Sequence, residues 1–237
     1  MLDFLSSILS AFALYSVMPF SYHKNSDRFR YIFVPFVGGI IFGISYLWFL
    51  LGWYRHFDDV AIALGIIIIA GIITGGRHIL GFITFIDNRA TYKSFCISWE
   101  ASKSRGLIRG LLVLAVWFVS MLNTYDYLFP LILVGFIISR IFMGLLSAAF
   151  CKEVNSSRLS VVLLIMECAI LCIKVFIEYE KYAICPVILS FAAFLFFIHR
   201  FKKVSGTELP LLEDDYIITG DTVWFFSVAM VSLINSL

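Results

Sequence analysis

Eight apolar stretches, at about 2–20, 31–52, 59–76, 106–122, 129–150, 159–177, 184–199 and 217–236, alternate with polar connectors along the 237 residues. Several reach the ~20 residues that a helix needs to cross the hydrocarbon layer. In lipid, a helix satisfies its backbone polar groups within one segment. The pattern therefore predicts an all-α, polytopic integral membrane helical bundle of seven to eight spans, folded as a single membrane-embedded domain over residues 1–237. The first stretch has no basic n-region and no small-x-small cleavage site, so it is expected to be a retained helix rather than a signal peptide. One polar interruption is longer than the others. It runs TGGRHILGFITFIDNRATYKSFCISWEASKSRGLIRG from Thr74 to Gly110, and is expected to form a cytoplasmic polar loop at about 77–109.

Composition agrees with the pattern. Hydrophobic residues make up 61% and charged residues 14%, against about 25% charged in soluble domains, and the mean hydropathy is +0.96. A water-soluble globule is excluded, and no nucleic-acid partner is expected. Of the 18 Lys and Arg, all but Arg55, Arg140, Lys174 and Lys181 fall in the segments 21–30, 77–109, 151–158 and 200–216. By the positive-inside rule these face the cytoplasm, with both termini outside, in a cell (inner) membrane. Trp48, Trp53, Tyr54, Tyr125, Tyr127, Tyr179 and Tyr182 gather at the opposite ends, as an interfacial belt does. Five cysteines, mostly within apolar runs, read as small hydrophobes and not as a disulfide framework. Gly39 with Gly43, and Gly71 with Gly75, have the four-residue spacing that lets helix backbones approach in lipid.

Charged groups at membrane depth are costly and therefore informative. Arg140 and Glu167 lie near the middle of adjacent spans, where they can pair as a register-fixing ion pair; alternatively Arg140 binds an anion from a cytoplasmic cavity. Lys174 has Glu178 four residues on. At the edge of the third span, Gly75 and Gly76 permit tight backbone geometry before Arg77 and His78, where free amides can face a phosphate. Asp87 is the candidate to hold a divalent cation or accept a proton. Ser104, Arg105 and Arg109 lead into the fourth span, and Thr219-Gly220-Asp221-Thr222 opens the last. The 200–216 segment, with Glu208, Glu213, Asp214 and Asp215, is expected to be a solvated connection. Cations beside carboxylates at one surface suit transfer of a phosphate-containing group, the carboxylates holding Mg²⁺.

These residues resemble the cobalamin synthase family, the adenosylcobinamide-GDP ribazoletransferases. Gly75, Gly76, His78, Gly81 and Asp87 match in register a Gly-Gly-x-His-x-Asp-Gly-x-x-Asp-x-x-Asp-Gly run. Val34-Pro35-Phe36-Val37-Gly38, Ser104-Arg105 with Gly110, Ser139-Arg140 and Thr219-Gly220-Asp221-Thr222 resemble later family segments in order. The resemblance implies joining of adenosylcobinamide-GDP to α-ribazole or its 5′-phosphate with release of GMP, the last step of cobalamin biosynthesis. It implies His78, Asp87 and Arg105 as catalytic residues, and Gly75, Gly76, Arg140, Thr219, Gly220 and Thr222 as substrate-binding ones. Asp87 and Asp221, with Glu100 as a further candidate, would hold Mg²⁺. Partners would be the two substrates, the lipid bilayer, and a second copy or other enzymes of the pathway. Leu80, Thr84, Asn88 and Lys103 depart from the pattern, the first two and Lys103 at acidic positions, which implies weaker metal binding. A ligand-binding or scaffolding relative without catalysis, and a small permease using Arg140 and Glu167, are the competing readings.

Overall fold

A computed structural model describes residues 2–17, 29–93, 99–124, 126–150, 157–203 and 208–236, with the backbone alone described for 2–4, 88–93 and 99–105. The described residues form nine α-helices and no strand: α1 (Leu2–Tyr15), α2 (Arg30–Arg55), α3 (Asp59–Thr74), α4 (Arg77–Lys93), α5 (Trp99–Leu122), α6 (Phe129–Phe150), α7 (Arg158–Tyr179), α8 (Lys181–Phe201) and α9 (Leu209–Ile234). A 3₁₀ turn at Asp126–Leu128 leads into α6.

The all-α reading holds. Among the described residues five helices (α2, α6 with its 3₁₀ turn, α7, α8 and α9) are long and apolar enough to span a bilayer, or six if α3 and α4 form one broken span. This number is lower than the seven to eight read from the sequence; among the described residues the stretches expected at 2–20 and 106–122 contribute the shorter apolar helices Leu5–Tyr15 and Gly106–Leu122. The segment expected as a loop at about 77–109 is largely helical: α4 turns from α3 by 81°, and α5 begins at Trp99. Phe82 and Phe85 of α4 are buried while Leu80 and Thr84 on its other side are exposed. Polarity in that stretch marks an amphipathic helix, not irregular backbone.

The bundle is built around α6. Protein encloses 89% of its apolar stretch, against 17% for α7 and 22% for α8. Ile165, Ile170 and Ile173 of α7 and Ile188, Phe191 and Leu195 of α8 face outward, as lipid-facing residues do. Lys174 lies 3.8 Å from Glu178 on this exposed surface. Successive neighbours of α6 run antiparallel to it. Gly144 meets Tyr31 of α2 while Phe129 stacks on Phe49 at 4.4 Å; Ser147 meets Glu213 of α9 while Leu131 meets Trp224. Of the aromatic residues expected at the outer ends, Tyr127 packs on Tyr182 at 5.7 Å, and Trp48 donates to the Ile62 carbonyl at 3.2 Å. Tyr125 lies outside the described residues. At the other end stand Arg30, Arg200 and Lys202, the last 5.3 Å from the Phe150 ring.

Candidate active site

At that basic end, the first turns of α9 carry Glu213, Asp214 and Asp215, each only 5% exposed. The expectation of a solvated connection over 200–216 is corrected here. The helix starts at Leu209, with Pro210 in its first turn, where a missing N–H costs nothing. Successive residues of a helix point about 100° apart, so the three carboxylates address three different neighbours. Glu213 accepts from Tyr15 of α1 at 2.7 Å, Tyr31 of α2 at 2.9 Å and Ser147 of α6 at 2.8 Å. Asp215 receives Arg200 of α8 at 3.0 Å. Asp214 sits 2.6 Å from Nδ1 of His78 on α4. Buried charge without such partners would cost several kcal/mol, on the order of the penalty for an unpaired buried ion.

The break between α3 and α4 brings His78 to Asp214. Gly75 and Gly76 have φ of +62° and +67°, the left-handed region that glycine enters without steric cost. Their N–H groups return to the Ile72 and Gly71 carbonyls, closing α3 as a Schellman-type end does. Those two amides are thus engaged by the chain itself, and the amides still open to an anion are those of the first turn of α4. His78, in that turn, is 2% exposed. The ring of Tyr15 lies 6.1 Å away, and Nε2 has no hydrogen-bond partner among the described residues. Three residues along, Gly81 makes room for Asp214, whose carboxylate occupies the space a Cβ would need.

Two turns further along α9, Asp221 is fully buried. It accepts from Ser139 at 2.5 Å, and both its oxygens lie 3.4 Å from the Arg140 guanidinium. Arg140 also donates to the Phe136 carbonyl at 2.7 Å. The expected Arg140–Glu167 pair is not formed: the cation pairs with α9, and Oε2 of Glu167 has no hydrogen-bond partner among the described residues. With its charge matched by Asp221 and 2% exposure, Arg140 ties α6 to α9. Thr222 accepts from Trp117 at 2.8 Å and donates to Ile218. Gly220 lets α6 approach, with Ser139 Cβ 3.1 Å from where a Cβ would stand. Thr219, before it, is half-buried.

Asp87 does not join this group. It accepts from the Gly106 N–H at 2.8 Å, whereas Asp221 lies next to Thr222, which meets Trp117. Gly106 and Trp117 are eleven residues apart on α5, a rise of about 16 Å. Among the described residues no three His, Cys, Asp or Glu side chains converge as a metal site. The side chains of Glu100, Lys103, Ser104 and Arg105 lie outside the described residues, so the expectation for Arg105 has no geometry here.

Sequence reasoning missed Glu213, Asp214 and Asp215 together with Tyr15, Tyr31 and Ser147. A usable signal was present. The acids sit in LPLLEDDYII, between apolar residues on both sides and with no Gly or Lys between them, which marks a buried helix turn better than a solvated loop.

Fold and site together define a multi-pass all-α membrane protein whose basic end encloses a histidine–carboxylate cluster. Over 168 residues the chain is 28% identical to an adenosylcobinamide-GDP ribazoletransferase of Lachnoclostridium phytofermentans, a match covering 67% of this chain and 63% of that protein. The chain thus spans under two thirds of that relative's length. No family model matches the chain, and no solved structure does.

Proposed function

We propose that this chain is a membrane transferase of cobalamin synthesis that joins adenosylcobinamide-GDP to α-ribazole, or its 5′-phosphate, and releases GMP. The observation that carries the reading is the likeness to a protein of that name over 168 residues. His78, the motif residue of the α3–α4 break, stands in the buried carboxylate cluster, which adds support from the chain's own geometry. In this reading the substrate diphosphate lies toward the first turn of α4, where the helix dipole and Arg77 favour an anion. The α-ribazole hydroxyl attacks the phosphorus next to the cobinamide, and GMP leaves. Such transfers depend chiefly on positioning and charge neutralisation. Clustering of Lys and Arg at this end supports a cytoplasmic active face in a cell membrane.

The test is GMP release by protein in nanodiscs given both substrates, with and without added Mg²⁺ and EDTA. Release that disappears in His78→Gln supports the transferase. No release, with both substrates still bound, supports a second reading, a ligand-binding relative without turnover. That reading is favoured by Leu80 and Thr84, which stand on the exposed side of α4 where the family pattern has carboxylates. Solute flux across proteoliposomes without GMP release would support a permease.

A further inference from the structure

We propose that Asp214 is a positioning residue that fixes the tautomer of His78, leaving Nε2 as the buried acceptor for the proton of a hydroxyl nucleophile. Three observations lead there. The 2.6 Å contact joins Nδ1 to a carboxylate oxygen; a carboxylate that accepts there places the ring proton on Nδ1, and in the neutral ring the lone pair is then on Nε2. That nitrogen has no partner among the described residues, although the residue is 2% exposed; buried polar atoms in native proteins are paired far more often than not. A lone-pair nitrogen takes a hydrogen-bond donor, and a substrate hydroxyl is one. Finally, Asp214 is held from both sides. Glu213 is fixed by three hydroxyls from three helices, and Asp215 by Arg200, so this turn of α9 cannot rotate without breaking those bonds. A base held this way is oriented before substrate arrives.

The step rests on the transferase reading above. The α-ribazole hydroxyl gives its proton to Nε2 while its oxygen forms the new bond to the phosphorus bearing cobinamide. The P–O bond to GMP breaks, and its electron pair leaves on the GMP oxygen. The resulting imidazolium is balanced by the Asp214 carboxylate and returns its proton to solvent or to the departing phosphate. Asp214 touches neither substrate; it acts through His78.

The experiment is ¹⁵N NMR of histidine-labelled protein in nanodiscs, with His78 assigned among the four histidines by loss of its signals in His78→Gln. The expected wild-type spectrum has a protonated Nδ1 and a bare Nε2. In Asp214→Asn the side-chain amide donates to Nδ1, the proton moves to Nε2, and the pattern inverts. The kcat for GMP release then falls about 10²- to 10⁴-fold, the range for losing a general base or its correct tautomer, with KM for adenosylcobinamide-GDP little changed. Asp214→Glu recovers part of kcat. A proton on Nε2, or on both nitrogens, in the wild-type protein overturns the proposal, and that spectrum decides it whether or not the Asp214→Asn protein folds. An unaltered tautomer in Asp214→Asn overturns it as well. Wild-type protein that releases no GMP overturns the transferase reading, whereas the tautomer measurements still decide the role of Asp214.

Discussion

Replacing Asp221 by Asn removes the charge that balances Arg140 and leaves the rest of the site in place. Arg140 is 2% exposed and Asp221 fully buried, so water cannot take over the lost role. The guanidinium keeps the Phe136 carbonyl at 2.7 Å and Ser139 at 3.2 Å, which are dipoles, not a counter-charge. Breaking one side of a buried pair costs about 3–5 kcal/mol in proteins generally, and a charge at helix-centre depth costs roughly 2.5–3.5 kcal/mol by insertion scales. A loss of about 3 kcal/mol is expected. The double variant Arg140→Met with Asp221→Asn removes both charges and should return to within about 1 kcal/mol of wild type, a coupling of at least ~2 kcal/mol between the two sites. Unfolding in mixed micelles by added SDS measures this. Trp224, bonded to Leu131 at 2.8 Å, and Trp117, bonded to Thr222, supply fluorescence next to the pair. If Asp221→Asn costs under about 0.5 kcal/mol and the double variant equals the sum of its parts, the pair is not structural. A rise in KM for adenosylcobinamide-GDP in Arg140→Met, with stability intact, would support the substrate-binding expectation for Arg140.

Gly81→Ala puts a Cβ where the Asp214 carboxylate lies; overpacking of about 1–3 kcal/mol is expected, together with loss of the Nδ1-bonded His78 signal. Gly76→Ala, with open space around its Cβ, should cost only the left-handed conformation, about 1–2 kcal/mol. Gly75→Ala should cost more in the same unfolding titration, because Val17 lies 2.5 Å from its Cβ position. Tyr15→Phe and Tyr31→Phe each remove one hydroxyl from Glu213, and each should lower stability by about 1.5–3 kcal/mol, the range for hydrogen bonds to charged groups; a change under ~0.5 kcal/mol for both would show that Glu213 is not held by them.

Long apolar runs made α2, α6, α7 and α8 legible to within a few residues, because a bilayer crossing needs a length that composition alone can reveal. Alternation of Lys and Arg identified the basic end for the same kind of reason. The site was less legible. Asp221 belongs to a motif and stands out, yet the sequence offers Arg140 only Glu167 on the next helix or an anion from a cavity, and not Asp221, its partner. The pairing of α6 with α9 joins residues about eighty positions apart, and depth along a helix says nothing about which helix stands opposite. The charges of α4 outweigh the spacing of Phe82 and Phe85, so that stretch reads as a loop. Three adjacent acids suggest solvent; only partners distant in sequence, the hydroxyls of Tyr15, Tyr31 and Ser147 on Glu213, His78 on Asp214 and Arg200 on Asp215, explain how they are buried.

The placement of these acids follows from how helices associate in lipid. Apolar helix faces gain nothing from each other that lipid tails do not offer, so close packing and hydrogen bonds between helices carry the association. Along α9, Glu213 bonds α1, α2 and α6, Asp214 bonds α4, Asp215 bonds α8, Asp221 bonds α6 again, and Thr222 bonds α5. One helix thereby ties six others through polar contacts. The contact that ties α4 is the same one that orients His78. On the proposed mechanism, stability and chemistry share residues at this end of the bundle, and a loss of activity in a variant of Asp214 or Gly81 identifies a chemical role only when the tautomer of His78 has changed while the folded fraction has not.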